Sequence, residues 1–283
     1  MSPTAPALPR HAPAELAPKQ LGERIALAHL LADASGEVIR RHFRAPLAVA
    51  DKAGAEGAMY DPVTVADRDA EAAIRALLAE RRPQDGRYGE EHGFEPGDSG
   101  LTWVIDPIDG TRAFITGMPL WGTLIALYDG ERPVLGVMDQ PWTGERFIGS
   151  RFGAELRDRD GRRPLRTRAC ARLADAALYS THPDLFERGH EKPAFDAIAA
   201  RVRMTRFSGD CYAYCMLAAG CLDLVVEAGL KPYDVQALIP IVEAAGGLMT
   251  GWRGENAAHG GRILVAGDAR VHAEALAILS QVP

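Results

Sequence analysis

The chain has 283 residues, of which 47% are hydrophobic and 25% charged, and 32 Lys and Arg against 38 Asp and Glu give a formal net charge of −6. That composition suits a folded globular chain of one large or about two domains. The mild acidity offers no attraction to nucleic acid or an anionic membrane, and no apolar run approaches the roughly 18 residues needed to span a bilayer.

The first twenty residues, MSPTAPALPRHAPAELAPKQ, are rich in Pro and Ala and have no apolar core segment. They read as a flexible lead-in and not as a secretion signal, which makes the cytoplasm the expected compartment. From Leu21 to Phe43 apolar residues recur at three- and four-residue steps, predicting a helix. The Gly-rich stretch Ala53 to Tyr60 reads as a mobile loop. Residues 61–83 run from a turn into a second helix that Pro83 ends, and Thr64 and Asp67 have the T-x-x-D spacing of a capping box. In YGEEHG, residues 88–93, a short extended run is followed by Glu90 and Glu91, a pair that is ordinarily a solvated face.

Residues 101–107, 120–128, 133–138 and 145–149 read as strands separated by turns such as Asp129-Gly130. From about Arg151 short strands (Ala177–Ser180, Arg203–Phe207, Leu222–Val226, Ile263–Val265) alternate with helices (Lys192–Arg201, Asp210–Ala219, Val235–Ala245, Ala269–Leu279). The expected division is therefore a lead-in at 1–20, an α+β part at 21–150 and an α/β part at 151–283. Cys170, Cys211, Cys215 and Cys221 lack zinc-site spacing and neighbouring His partners, so they read as buried free thiols.

The stretch WVIDPIDGT, Trp103 to Thr111, carries the most chemistry. A buried apolar run delivers Asp106, and a second carboxylate, Asp109, follows just before Gly110 and Thr111. Two carboxylates this close repel as water is excluded, and a divalent cation with hard oxygen ligands relieves the repulsion. Backbone N–H groups at Gly110 and Thr111, at the start of a helix, would suit a phosphate. The ordinary structural alternative is a turn in which Asp109 caps the following helix. Asp234 in LKPYDVQALIP precedes an apolar helix and also reads as a cap, and Ser208, Gly209 and Asp210 in RFSGDCYAY fall at a strand-to-helix junction of the kind that lines ligand crevices.

Taken together, the T-x-x-D segment, GEE, W-x-I-D-P-I-D-G-T and the Tyr-Asp before an Ala-rich helix and Gly-Gly resemble the inositol monophosphatase superfamily, over roughly residues 20 to 280. The DGTRAFI continuation at Asp109 to Ile115 and EAGLKPYD at Glu227 to Asp234 are most similar to its histidinol-phosphatase members. The resemblance implies a layered α-β-α-β-α sandwich, combining α+β and α/β parts, with the site between the two parts. It also implies hydrolysis of a small phosphate monoester with Mg²⁺, two to three ions per site, and a homodimer. Glu90, Asp106, Asp109 and Asp234, with the Ile108 carbonyl, would be the metal ligands; Thr111, hydrogen-bonded to Asp67, would orient water and accept its proton; Gly110 and Thr111 would hold phosphate.

Arg112 stands where inositol-type members have a second Thr, and it would contact phosphate or pair with a carboxylate. Asp210 and Glu227 are candidates to read a cationic substrate, with a helix cap and a solvated strand end as their structural alternatives. Histidinol phosphate is the leading substrate, with inositol monophosphate or a phosphoadenosine nucleotide as alternatives of the same chemistry. A non-catalytic protein that binds metal or phosphate is the alternative of another class.

Overall fold

The computed structural model describes residues 16–46, 48–51 and 62–283, so the first fifteen residues and the expected loop Ala53–Tyr60 lie outside the described residues. Helix α1 (Pro18–His42) begins with Pro in its first turn and buries Leu21, Leu27, Ala28, Leu31, Ala32 and Ile39 along one stripe. Strands β1 (Val49–Asp51) and β2 (Pro62–Thr64) form a two-stranded antiparallel pair. Helix α2 (Val65–Arg81) starts from the expected capping box: Thr64 Oγ1 accepts from Ala66 N at 3.1 Å, and Asp67 Oδ2 accepts from Thr64 N at 2.8 Å.

The first sheet has eight strands: β3 (Gly86–Gly89), β4 (Gly93–Glu95), β5 (Thr102–Asp109), β6 (Gly122–Tyr128), β7 (Pro133–Gln140), β8 (Glu145–Ser150), β9 (Gly153–Asp158) and β10 (Gly161–Pro164). Their order is β10-β9-β8-β7-β6-β5-β3-β4, with β3 and β5 parallel and the other neighbours antiparallel. A short helix α3 (Thr111–Ile115) follows β5. The change of pattern expected near Arg151 thus falls inside this sheet, because β9 and β10 extend its edge to Pro164. Those two strands are Arg- and Asp-rich and carry little of the apolar alternation that marks a strand in sequence.

The second sheet has the order β12-β11-β13-β15-β14, built from β11 (Ala177–Ser180), β12 (Met204–Phe207), β13 (Leu224–Leu230), β14 (Leu248–Gly251) and β15 (Gly261–Ala266). Its helices are α4 (Glu191–Ala199), α5 (Asp210–Ala218), α6 (Pro232–Val235), α7 (Leu238–Ala244) and α8 (Ala269–Leu279). The single helix expected over Val235–Ala245 is two. Pro240 has no N–H to return to the Gln236 carbonyl, so it is tolerated only in the first turn of a new helix.

Alternate residues of β5 and β6 face opposite layers. Trp103, Ile105, Ile125 and Leu127 pack with α1 and α2, whereas Val104, Leu124, Ala126 and Tyr128 pack with α5 and α7. The second sheet does the same, with Val225 and Val265 facing α5 and α7 while Leu224, Leu264 and Ala266 face α8. The layers are therefore α1/α2, first sheet, α5/α6/α7, second sheet, α4/α8, which is the expected α-β-α-β-α sandwich. No described helix is long and apolar enough to cross a membrane. Cys170, Cys211 and Cys215 are buried free thiols as expected, but Cys221 is exposed, since it lies at the turn after α5.

The α1 layer is pinned to the first sheet by Arg146, whose guanidinium pairs with Asp139 at 2.6 Å and Asp33 at 2.8 Å and lies 3.3 Å from His29 Nδ1. Burial, then the charges of Arg157 and Arg146, lower the His29 pKa from 6.5 to about 4. The unfolded chain takes up this proton near 6.5 and the folded chain only near 4, so the stabilisation is whole above the first value and lost as pH falls towards the second. Urea unfolding of wild type and His29→Gln across this range should show the wild-type advantage shrinking with acidity; a pH-independent difference would refute the assignment.

Candidate active site

The two carboxylates of WVIDPIDGT are three residues apart, and a regular strand would send them to opposite faces. A β-bulge reverses this. Asp106 pairs with Leu124 and Asp109 with Gly122, so three steps along β5 match two along β6. Leu124 and Gly122 share a face, and Asp106 and Asp109 therefore do too. The bulge is fully bonded: Pro107 needs no donor partner, its carbonyl accepts from Thr123 Oγ1 at 2.8 Å, and Ile108 N donates to Asp106 Oδ1 at 3.0 Å. Gly110 then turns with φ +83, where an added Cβ would lie 2.8 Å from the Leu120 carbonyl oxygen.

Asp109 does not cap the helix after it, whose N-cap is Gly110. Its Oδ2 instead accepts from Cys211 N at 2.7 Å, at the start of α5 in the other half of the molecule. Asp234 is likewise not an N-cap: it is the third residue of α6, and its Oδ2 accepts from Lys231 N at 2.7 Å. Parallel pairing of β3 with β5 brings up the third segment, since Glu90 N donates to the Ile105 carbonyl at 3.1 Å and leaves Glu90 beside Asp106. Asp67 is almost wholly buried and its field also reaches Asp106.

Oxygens of Asp106, Asp109 and Asp234 lie within 4.8 Å of one another. Burial first, then Glu90, Asp109, Asp234 and Asp67, push the Asp106 pKa well up; burial and Asp109 do the same to Asp234, and burial raises Asp109. No ion pair among the described residues neutralises any of the three. Each is anchored by one backbone N–H, and each keeps acceptor capacity. An all-oxygen anionic set of this kind fits a hard divalent cation. The Thr111 hydroxyl donates to the Ile108 carbonyl at 3.0 Å and not to Asp67 as the resemblance implies, because Asp67 is already engaged by Thr64 N and Thr64 Oγ1 at the α2 cap; the Ile108 carbonyl keeps its second lone pair for such an ion.

These groups line a cavity of about 270 Å³ together with Gly110, Thr111, Arg112, Asp210 and Glu227. A larger cleft of about 640 Å³, by Leu21, Val134 and Pro240, shares none of the cluster's residues. Asp210 Cβ sits 3.3 Å from where a Cβ on Gly110 would stand, so this carboxylate abuts the Gly110 turn. Burial, then Asp109 and Glu227, push the Asp210 pKa well up, with the exposed Arg112 opposing the shift. Glu227 is 3% exposed, so it is not a solvated strand end.

Buried carboxylates from separate segments, meeting beside a glycine turn, form a set that could hold a divalent metal ion. The chain belongs to the inositol monophosphatase family, whose model matches residues 20–282, and it is a phosphatase. It is 41% identical to the bifunctional phosphatase IMPL2, chloroplastic, of Arabidopsis thaliana, covering 96% of this chain and 79% of that protein. Identity to the histidinol-phosphatase of Mycobacterium tuberculosis is 35%, covering 90% of this chain and 96% of that protein. Among solved structures, an inositol monophosphatase from Zymomonas mobilis superposes with TM-score 0.80 at 44% identity, covering 91% of this chain and 98% of that one.

Sequence reasoning missed Glu71. It sits in the Ala-rich stretch of α2 four residues before Arg75, where it looks like half of a solvated helix pair. The structure buries it completely; it pairs with Arg75 at 2.7 Å and accepts from Glu91 N at 2.7 Å and His92 N at 3.3 Å. Its carboxylate fills the space that a side chain at Gly89 would need. Glu71 thus shapes the turn that presents Glu90, and the Gly-Glu-Glu spacing was its only trace. Glu71→Gln should raise the divalent-cation concentration for half-maximal activity by about 10- to 100-fold. Cation titration of a variant with a wild-type far-UV spectrum tests this; unchanged half-saturation would contradict it.

Proposed function

We propose that the protein is a Mg²⁺-dependent histidinol-phosphatase, releasing phosphate from L-histidinol phosphate. The observation that carries this reading is the wall of two carboxylates, Asp210 and Glu227, that shares the cavity with the metal cluster but is surplus to it. An inositol leaving group brings only hydroxyls to such a wall. Histidinol brings an amine and an imidazole that carry positive charge, which a wall of carboxylates favours. The 35% identity to proteins named histidinol-phosphatase supports the same choice.

Glu90, Asp106, Asp109, Asp234 and the Ile108 carbonyl would hold Mg²⁺, which would supply Lewis-acid charge for the phosphate and the leaving oxygen and acidify water. The chain's own groups do the rest. The N–H groups of Gly110 and Thr111 hold phosphate oxygens as charge builds on them. The Thr111 hydroxyl keeps lone pairs to orient the attacking water, and the Asp67 carboxylate takes its proton. Arg112, at the exposed lip, meets the phosphate dianion and offsets part of the wall's negative charge. Asp210 and Glu227 face the alcohol portion and fix its orientation for in-line attack.

Phosphate release from L-histidinol phosphate and from inositol 1-phosphate should be measured with Mg²⁺ and with EDTA. The expected result is a kcat/KM favouring histidinol phosphate by at least about 100-fold, with EDTA or Asp106→Asn lowering the rate by about 1,000-fold or more. Preference for the inositol ester would overturn the substrate, and full activity in EDTA would overturn the metal.

A further inference from the structure

The register of the first sheet lines up four charged side chains. Asp139 pairs with Arg146, Arg146 with Arg157 and Arg157 with Arg162, so one row crosses β7, β8, β9 and β10 on a single face. Like charges directly opposite one another destabilise a sheet unless something answers them. Arg146, under α1, is answered by Asp139 and Asp33. Arg157 has Glu155, which accepts from its Nε at 2.5 Å, and Arg162 has no partner among the described residues.

His29, on α1, adds a donor at the same place. An arginine only donates, so the 3.3 Å contact of Arg146 Nη1 with Nδ1 makes Nδ1 the acceptor, and the neutral ring carries its proton on Nε2. That Nε2 is buried and has no partner among the described residues. Arg157 acts on the ring more strongly than any other charge, so the spare donor and the guanidinium share one locality. Ile25, one turn before His29, lines a cavity of about 410 Å³ there. Three guanidinium groups, Arg157, Arg162 and Arg163, line it against one carboxylate, Glu155, and Arg163 pairs with Asp158. Ile148 and the exposed Phe152 give it an apolar wall. The cavity shares no residue with the carboxylate cluster, and its volume is in the range of small-molecule sites.

We propose that this cavity is a second ligand site, separate from the catalytic one, for a small phosphate-bearing molecule with an apolar body. Arg157, through its Nη groups, and Arg162 hold the oxygens of the head, and His29 Nε2–H donates to it. Three donor groups on three separate elements match the three free oxygens of a phosphate monoester, and the surplus of guanidinium over carboxylate favours its negative charge. Ile25, Ile148 and Phe152 cover the body. The occupant supplies the acceptors that the row of arginines and the His29 ring otherwise lack.

The test is calorimetric titration of the full-length protein with phenylphosphonate, a probe with no ester bond to cleave, in EDTA so that no metal at the carboxylate cluster can bind the head. Wild type should show saturable binding with Kd of about 1 mM or tighter. Arg162→Ala, a change at an exposed side chain without a partner, should weaken it by about tenfold or more. Arg159→Ala removes a 90% exposed arginine of the same hairpin that lies outside the cavity, and should stay within about twofold. Benzyl alcohol, which keeps the ring and lacks the charge, should not bind. In nitrogen-15 spectra the His29 Nε2 resonance should move on saturation. Absence of saturable binding, equal weakening by Arg159→Ala and Arg162→Ala, or binding lost in Asp106→Asn but kept in Arg162→Ala would each overturn the proposal. None of these outcomes depends on which ester the catalytic site hydrolyses.

Discussion

Carboxylates whose oxygens lie within 4.8 Å of one another in a buried site cannot all stay ionised without a counter-charge, and much of this molecule is arranged around that constraint. Asp106, Asp109 and Asp234 come from two different layers, and each is tied to a backbone N–H that fixes its direction without neutralising it. The arrangement is costly for the bare protein and would become favourable with a divalent cation bound. Binding energy for the ion and folding energy of the site are therefore linked. Glu71 illustrates the contrast: equally buried, it has Arg75 as a partner and so does a structural task.

The bulge in β5 shows where sequence reasoning reached and where it stopped. That Asp106 and Asp109 belong together was legible from Pro107, Gly110 and Thr111, because turn chemistry is local. That they share a face was not, since strand periodicity argues the opposite and only the register against Gly122 and Leu124 resolves it. The layered fold was legible because β5, β6, β13 and β15 are buried on both faces and so read as continuous apolar runs. Strands β9 and β10, at the exposed edge, are charged and were invisible for the same reason; positive side chains there also guard the edge against pairing with another chain.

Residues whose role is to hold other residues left little trace. Glu71 and Thr181 stand in unremarkable sequence contexts, and their partners Glu91, His92 and Glu227 are twenty or more positions away. Caps were readable when donor and acceptor are three residues apart, as in Thr64 and Asp67. They were not readable when the capped helix lies elsewhere, as with Asp109 and α5. Local hydrogen bonds are written in spacing, whereas those that join layers are written only in the packing that brings the layers together.

Helix α5 makes metal geometry and substrate choice one mechanical problem. Its first residue, Asp210, lines the cavity; its second, Cys211, gives its N–H to Asp109 of the carboxylate cluster; one turn later Tyr214 is held by Glu227. Gly209 admits no side chain, because an added Cβ would lie 2.6 Å from Ala213 Cβ and 3.0 Å from the Tyr179 ring. A shift of this helix large enough to reshape the substrate wall would also draw the Cys211 N–H away from Asp109 and turn that carboxylate within the cluster. Changes of substrate within this architecture therefore fall most economically on side chains at 210 and around it, with the backbone of the turn left in place. The positive φ values at Ser208 and Asp210 are held by that same backbone, so the direction of the Asp210 side chain is set by the turn as much as by its rotamer.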